Sequence, residues 1–135
     1  MFFPDTEIER SQLIGKIPRY LSQKDKSSCG PIAVINYWKT YGLKVGYKDL
    51  KVLRRILATT KAGTFDDKIA GLFGKDWKSV SLLKPPAIVM EDNHYWLCSH
   101  KCTGGFIGIN YCNRITYHFI SNRRMKSILK RSKVL

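Results

Sequence analysis

The hydrophobic period of this chain changes once, near Gly74, and this change constrains the fold more than any other feature. Before Gly74, apolar residues recur every three or four positions, as on the buried face of a helix. After it come short runs bounded by Pro, Gly, Asn or Asp, which is typical of strands. Helices followed by strands in one short chain predict the α+β class, with N-terminal helices packed on a C-terminal antiparallel sheet.

Three helices are predicted in the first half, over residues 29–41, 47–58 and 64–74. In the first of them Pro31 suits the first turn and Gly42 suits the C-terminal cap. At the start of the third, Thr64 and Asp67 have the spacing of a capping box. The first helix is apolar on most sides, which predicts that it is mostly buried.

The second half predicts four strands, over residues 79–83, 87–91, 94–99 and 105–111. A basic segment follows from Asn122, where Met125, Ile128 and Leu129 recur at helical spacing. We expect this segment to dock its apolar side on the body of the protein and to expose its charged side.

The length and composition indicate one domain. The chain has 135 residues, of which 44% are hydrophobic, and this suffices for one core but hardly for two. We expect a single domain over 1–135, with an N-terminal arm at 1–19 and a basic C-terminal helix or tail at 122–135. The sequence has no apolar run long enough to span a bilayer and no signal peptide. The expected location is therefore the cytoplasm or a larger particle such as a virion.

The charge of the chain is strongly basic, with 24 Lys and Arg against 10 Asp and Glu, a net charge of +14. From Asn93 onward there are no acidic residues but eight basic ones: Lys101, Arg114, Arg123, Arg124, Lys126, Lys130, Arg131 and Lys133. Such an excess attracts anionic partners, such as nucleic acid, a cell-wall polymer or an acidic protein surface. The candidate contacts for a polyanion are Arg123, Arg124, Lys126, Lys130 and Arg131.

One cysteine, Cys29, stands where the first helix is predicted to begin. Unpaired N–H groups and the positive end of the helix dipole favour the thiolate at such a position, and the thiolate is the nucleophilic form. A small buried side chain at a helix start would give the same pattern. A catalytic thiol also needs a base, and the base needs an orienting group.

The predicted hairpin of the second half supplies such a pair, in His94 and Asn110. If the turn occupies residues 101–105 and Ser99 lies opposite Gly105, then His94 lies opposite Asn110. Their Cβ atoms would be about 4.5–5.5 Å apart on one face of the sheet. The amide oxygen of Asn110 could then accept the imidazole N–H and fix the tautomer of His94.

These residues resemble the papain-fold cysteine peptidases, and within them the bacteriocin-processing, double-glycine-leader peptidase-like group. The resemblance covers roughly residues 20–112 and rests on Gln23, then Cys29-Gly30-Pro31-Ile32-Ala33, then His94-Tyr95-Trp96-Leu97, then Asn110. It implies that Cys29 is the nucleophile, His94 the acid and base, and Asn110 the orienting residue. It also implies that the side-chain amide of Gln23 lines the oxyanion hole beside the Cys29 N–H.

The function predicted from the sequence is hydrolysis of a peptide or amide bond in a peptide or protein substrate, with no cofactor and no metal. The alternative is an inactive papain-like or other basic module that binds nucleic acid or another polyanion within a larger assembly.

A zinc site is a further hypothesis, because Cys98, His100, Cys102 and Cys112 lie close together in the sequence. In the predicted hairpin, however, Cys112 and Cys102 lie at opposite ends, about 30 Å apart, which is too far for one ion.

Overall fold

The computed structural model describes residues 18–112 and 115–135 of the chain. Most of the predicted N-terminal arm at 1–19, and Arg114 among the basic residues, lie outside the described residues. The elements belong to the α+β class, as the sequence predicted: helices come first and the strands form one antiparallel sheet.

Within the described residues, three helices precede the sheet: α1 over Cys29–Thr40, α2 over Leu50–Ile56 and α3 over Asp66–Phe73. A short 3-10 turn, Tyr47–Asp49, leads into α2, so the predicted helix at 47–58 is shorter and begins less regularly. The predicted capping box of α3 is wrong, because Phe65 occupies the N-cap position without a side-chain cap. The hydroxyl of Thr64 instead bonds to that of Thr59, at 2.7 Å.

Five strands and one more helix form the second half: β1 over Ala87–Glu91, β2 over His94–Cys102, β3 over Gly105–Cys112, β4 over Ile115–Ser121, α4 over Asn122–Leu129 and β5 over Ser132–Val134. Their order in the sheet is β4-β3-β2-β1-β5. The predicted strand at 79–83 is wrong. Residues 79–83 form no strand, and the edge of the sheet beside β1 is formed by β5. Lys78, just before this segment, forms an isolated bridge to Val134.

The two faces of the sheet carry separate cores. Alternate side chains of β2 point in opposite directions, so Leu97 packs with Ile35 of α1, while Trp96 packs with Ile128 of α4. All four of these side chains are fully buried. The helix that begins at Cys29 therefore lies on one face of the sheet, and the basic helix lies on the other.

The register of the β2–β3 hairpin differs from the predicted one. Cys102 pairs with Gly105 and Leu97 with Ile109, with a bulge at Ser99 between them. The turn is thus Thr103 and Gly104 alone, with Gly104 at a φ of 80°. The prediction that placed Ser99 opposite Gly105 is wrong by two to three residues, because it assumed a longer turn and no bulge.

Candidate active site

The thiol of Cys29 lies at the first position of α1. The preceding residue, Ser28, is the N-cap, and its carbonyl accepts the N–H of Ile32 at 2.9 Å, which closes the first turn. Pro31 fits this turn because its missing N–H would have no partner there in any case. Cys29 is 6% exposed. The thiol is thus held at the positive end of a helix and close to the surface.

The Cys29 thiol lies beside the imidazole of His94, at the start of β2, and the interaction between the two groups shifts the pKa of each. Burial alone would raise the pKa of Cys29, but the bond to His94, the N–H groups of Tyr95 and Gly30 and the charge of His94 outweigh it. The pKa of the thiol is therefore below its usual value. Burial would likewise lower the pKa of His94, but its bonds to Cys29 and Asn110 raise it. Both shifts favour a thiolate and an imidazolium as a pair.

The carbonyl oxygen of Asn110 orients the imidazole, at 2.8 Å from His94 Nε2. A carbonyl can only accept, so Nε2 carries the proton. That leaves Nδ1, with its lone pair in the neutral ring, for the Cys29 thiol. The expected pairing of His94 with Asn110 is present, but the predicted atom was wrong: the main chain of Asn110, and not its side-chain amide, accepts the imidazole N–H.

The side chain of Asn110 binds the segment before Cys29. It donates from Nδ2 to the carbonyl of Leu21 at 2.8 Å and accepts the N–H of Gln23 at Oδ1, at 3.2 Å. Asn110 has a φ of 58°, in the left-handed region that Asn tolerates better than most residues. This conformation lets one residue hold the imidazole with its carbonyl and the segment before Cys29 with its amide.

A second asparagine, Asn36 of α1, holds the same segment from the other side. It is fully buried, accepts the N–H of Leu21 at 2.8 Å and donates to its carbonyl at 3.1 Å. Asn36 was not predicted from the sequence as a site residue. The signal that could have found it is an amide in the buried part of an otherwise apolar helix, since such a group needs partners.

The side chain of Gln23 donates from Nε2 to the carbonyl of Asp25 at 2.7 Å. A carboxamide has two N–H donors, so the second remains for another acceptor. The main chain of Gln23 is fixed by Asn110, which places it in the same network as His94 and Cys29. Its role in an oxyanion hole stays a prediction.

The turn between Gln23 and Cys29 is organised by Asp25. Its carboxylate accepts the N–H and hydroxyl of Ser27 at 2.9 and 3.0 Å and the hydroxyl of Ser28 at 2.9 Å. Arg54 of α2 donates to the Ser27 hydroxyl at 3.0 Å. Slight burial alone would raise the pKa of Asp25, but the hydrogen bonds from Ser28 and Ser27 and the charge of Arg54 outweigh it. The pKa of this carboxyl is therefore below its usual value. This turn was not predicted from the sequence either, although Asp25-Lys26-Ser27-Ser28 is rich in residues that are common in turns.

The five basic residues predicted to bind a polyanion lie on or just after α4, and all are exposed. Two of them have partners within the chain. Arg131 forms an ion pair with Glu91 at 2.7 Å, and Arg124 donates to the hydroxyl of Tyr111 at 3.1 Å. Arg123, Lys126 and Lys130 make no ion pair with a described residue.

The other three cysteines lie on the strands β2 and β3. Cys98 is buried in the core on the α4 face, and Cys102 ends β2. Cys112 lies 3.8 Å from His118 Nδ1. Among residues 18–112 and 115–135, no group of three or more His, Cys, Asp or Glu side chains could hold a metal ion. In that same part of the chain, no helix has the length and apolar character needed to cross a bilayer.

The role of Asn110 gives a first prediction. Asn110→Ala is expected to lower the free energy of unfolding by about 3–4 kcal/mol. The variant loses two hydrogen bonds worth about 1 kcal/mol each and puts alanine at a positive φ, which costs roughly 1–2 kcal/mol. The carbonyl remains, so the folded variant should keep the reactivity of the Cys29 thiol near neutral pH. Urea unfolding and the rate of thiol alkylation measure the two effects.

The matched control is Asn110→Gly, which loses the same side-chain bonds but tolerates the backbone conformation. It should be less destabilised than the alanine variant and equally reactive. If either variant, while folded, loses the thiol reactivity to the same extent as His94→Ala, then the side chain of Asn110 orients the imidazole.

Comparison with known proteins gives matches among solved structures only, since neither the protein-family models nor the curated proteins match the sequence. The chain is similar to the peptidase domain of Streptococcus ComA, a bi-functional ABC transporter, with a TM-score of 0.62 and 19% identity over 87% of this chain and 97% of that one.

Two other structures are also similar. A double glycine motif protease from an AMS/PCAT transporter, solved with the leader peptide, has a TM-score of 0.61 and 13% identity over 87% of this chain and 89% of that one. The peptidase domain of Streptococcus mutans ComA has a TM-score of 0.53 and 16% identity over 87% and 98%. These similarities confirm the predicted papain-like peptidase fold.

Proposed function

We propose that this chain is a cysteine peptidase that hydrolyses a peptide or amide bond through a thioester on Cys29. The observation that carries the proposal is the position of the Cys29 thiol, at a helix start and beside the imidazole of His94, in the fold of peptidase domains. A thiolate of lowered pKa beside an oriented imidazole is the arrangement that nucleophilic catalysis by cysteine requires.

The first half of the reaction forms the thioester. The Cys29 thiolate attacks the scissile carbonyl carbon, and the carbonyl oxygen becomes an oxyanion. The imidazolium of His94 then gives its Nδ1 proton to the leaving nitrogen, and the C–N bond breaks. Throughout, the carbonyl of Asn110 holds the Nε2 proton of His94, so the ring keeps its orientation.

The second half releases the acid product. His94, now neutral, accepts a proton from water at Nδ1 while the water oxygen attacks the thioester. When the second oxyanion collapses, the C–S bond breaks, and Cys29 leaves as the thiolate beside a reprotonated His94. The residues proposed to stabilise both oxyanions are Gln23, through its side-chain amide, and Cys29, through its N–H. Each step uses groups of this chain, the substrate and water.

The position of Gln23 supports its role, because the main chain around it is held from two sides by Asn36 and Asn110. A donor acts on an oxyanion only if it is fixed before the charge develops. The two asparagines give the segment before Cys29 that fixed position, and we assign them as positioning residues.

The experiment that tests this proposal is hydrolysis of internally quenched peptides in H₂¹⁸O, with products identified by mass spectrometry. One peptide carries Gly-Gly before the scissile bond, since a similar structure is a double glycine motif protease; the others form a mixed-sequence pool. We expect cleavage with one ¹⁸O in the new carboxylate, and its loss after alkylation of Cys29. Cleavage that survives complete alkylation of Cys29, or no cleavage of any peptide, would contradict the proposal.

A further inference from the structure

Two adjoining clefts, rich in lysine, lie on either side of the irregular segment that the sequence analysis had predicted to contain a strand. The first, which we call the α1 cleft, has a volume of about 620 Å³ and lies between this segment and the end of α1. Three exposed lysines line it, Lys75, Lys78 and Lys84. Val80 lines this cleft and also the second one, so the two are continuous.

The second cleft, of about 630 Å³, lies between the same segment and the basic helix α4. Lys126 and Lys130 reach it from the helix, and Ser79 and Ser81 line it from the segment. Lysines that are far apart in the sequence thus line two adjoining clefts. The prediction from sequence, which placed the whole anionic contact on the C-terminal segment, included only two of these five lysines.

The charged side chains that line the two clefts are all lysines. No aspartate or glutamate side chain lines either of them. Within the described residues, none of the five lysines forms an ion pair, whereas Arg131 beside them is paired with Glu91. Lysine charges that have no counterion among the described residues are available to an anion from outside.

The donors of the clefts distinguish between two kinds of anion. Lysine and serine side chains donate hydrogen bonds, and no carboxylate or carboxamide side chain lines either cleft. A phosphodiester backbone offers acceptors only. The α1 cleft also contains Tyr37 and Tyr41, whose half-buried rings offer surface on which bases can stack.

We propose that these two clefts bind single-stranded nucleic acid, with the lysines on its phosphates and the tyrosines on its bases. The site is separate from the candidate active site. Tyr41 lies twelve residues beyond Cys29, about 18 Å along the axis of α1. The α4 cleft lies beside the opposite face of the sheet from α1. Binding of nucleic acid is therefore independent of peptide hydrolysis.

The test is fluorescence anisotropy of a labelled oligothymidylate of about 20 nucleotides, titrated with the full chain between about 50 and 200 mM salt. Two double variants remove lysines from one cleft each: K78Q with K84Q, and K126Q with K130Q. Because each phosphate contact contributes about 0.7 to the slope of log K against log salt for a single strand, each pair should reduce the slope by about 1.4. Peptide hydrolysis should be unchanged in both.

The matched control is K48Q with K51Q, which removes the same charge from exposed positions that line neither cleft. It should leave the slope unchanged. An equal loss in this control would show attraction by net charge alone and overturn the proposal. Displacement of the oligonucleotide by poly-glutamate at equal charge concentration would also overturn it, in favour of an acidic peptide as the partner. Failure of the peptide assay would leave these results unaffected, since they do not involve Cys29.

Discussion

Cys29→Ala is expected to abolish peptide hydrolysis, with kcat falling by a factor on the order of 10⁶, as when the nucleophile of a serine peptidase is removed. Without the sulfur no thioester can form, and His94 has no proton to take from residue 29. The substitution shortens a buried side chain by one atom at the edge of the core, so the variant should remain folded. Initial rates on the Gly-Gly peptide, with circular dichroism as a check of folding, measure the effect.

The matched control for this variant is Cys112→Ala. Cys112 is half-buried and lies near a histidine, His118, but it is not at a helix start. Its removal should leave kcat within a factor of about two to three of the parent, because a small packing change that leaves Cys29, His94 and Asn110 in place has little effect on the barrier. If Cys112→Ala abolishes hydrolysis and Cys29→Ala does not, the nucleophile has been assigned to the wrong thiol.

Gln23→Ala is expected to reduce kcat by a factor of about 10²–10³ with little change in KM, which is the cost of removing one oxyanion-hole donor. The donor acts on a charge that exists only during acyl transfer, so the substrate ground state should hardly be affected. Gln23→Glu should be at least as damaging, because a carboxylate repels both the thiolate and the developing oxyanion. Steady-state kinetics on one peptide separate kcat from KM.

The neighbouring residue Lys24 provides the control for Gln23. It is exposed on the same segment, with its ammonium 4.3 Å from the ring centroid of Tyr47. Lys24→Ala perturbs the segment without removing a carboxamide, and kcat should stay near the parent value. If both Gln23 variants turn over substrate at the parent rate, then the bond from Gln23 to Asp25 is its only task, and the oxyanion must be held by other donors.

The helix ends that the sequence predicted correctly depend on neighbouring residues. Cys29 begins its helix, as Pro31 and the apolar spacing after it predicted. Gly74 ends α3 with a φ of 63°. Asn122 likewise begins the basic helix. In each case the signal is local, because capping and helix periodicity involve residues a few positions apart.

Features that depend on pairing between distant residues were not predicted. The bulge at Ser99 shifts the β2–β3 register, and no local pattern marks it. The strand β4 does alternate, but its apolar side chains Ile115, Tyr117 and Phe119 are about half exposed, so the pattern does not indicate a core. The contact between His94 and the main chain of Asn110 depends on a positive φ that the sequence does not specify.

Brief alkylation with iodoacetamide at about pH 6, followed by peptide mapping, tests most directly whether Cys29 is an activated nucleophile. An ordinary thiol with a pKa of about 8.5 is only about 0.3% ionised at this pH. Because the pKa of Cys29 is lowered, its thiolate persists as the pH falls below the range in which ordinary thiols ionise. For Cys102, burial raises the pKa instead. We predict that Cys29 is labelled well ahead of Cys98, Cys102 and Cys112, and that His94→Ala removes this lead. Equal labelling of all four thiols, or protection of Cys29 alone, would contradict the account.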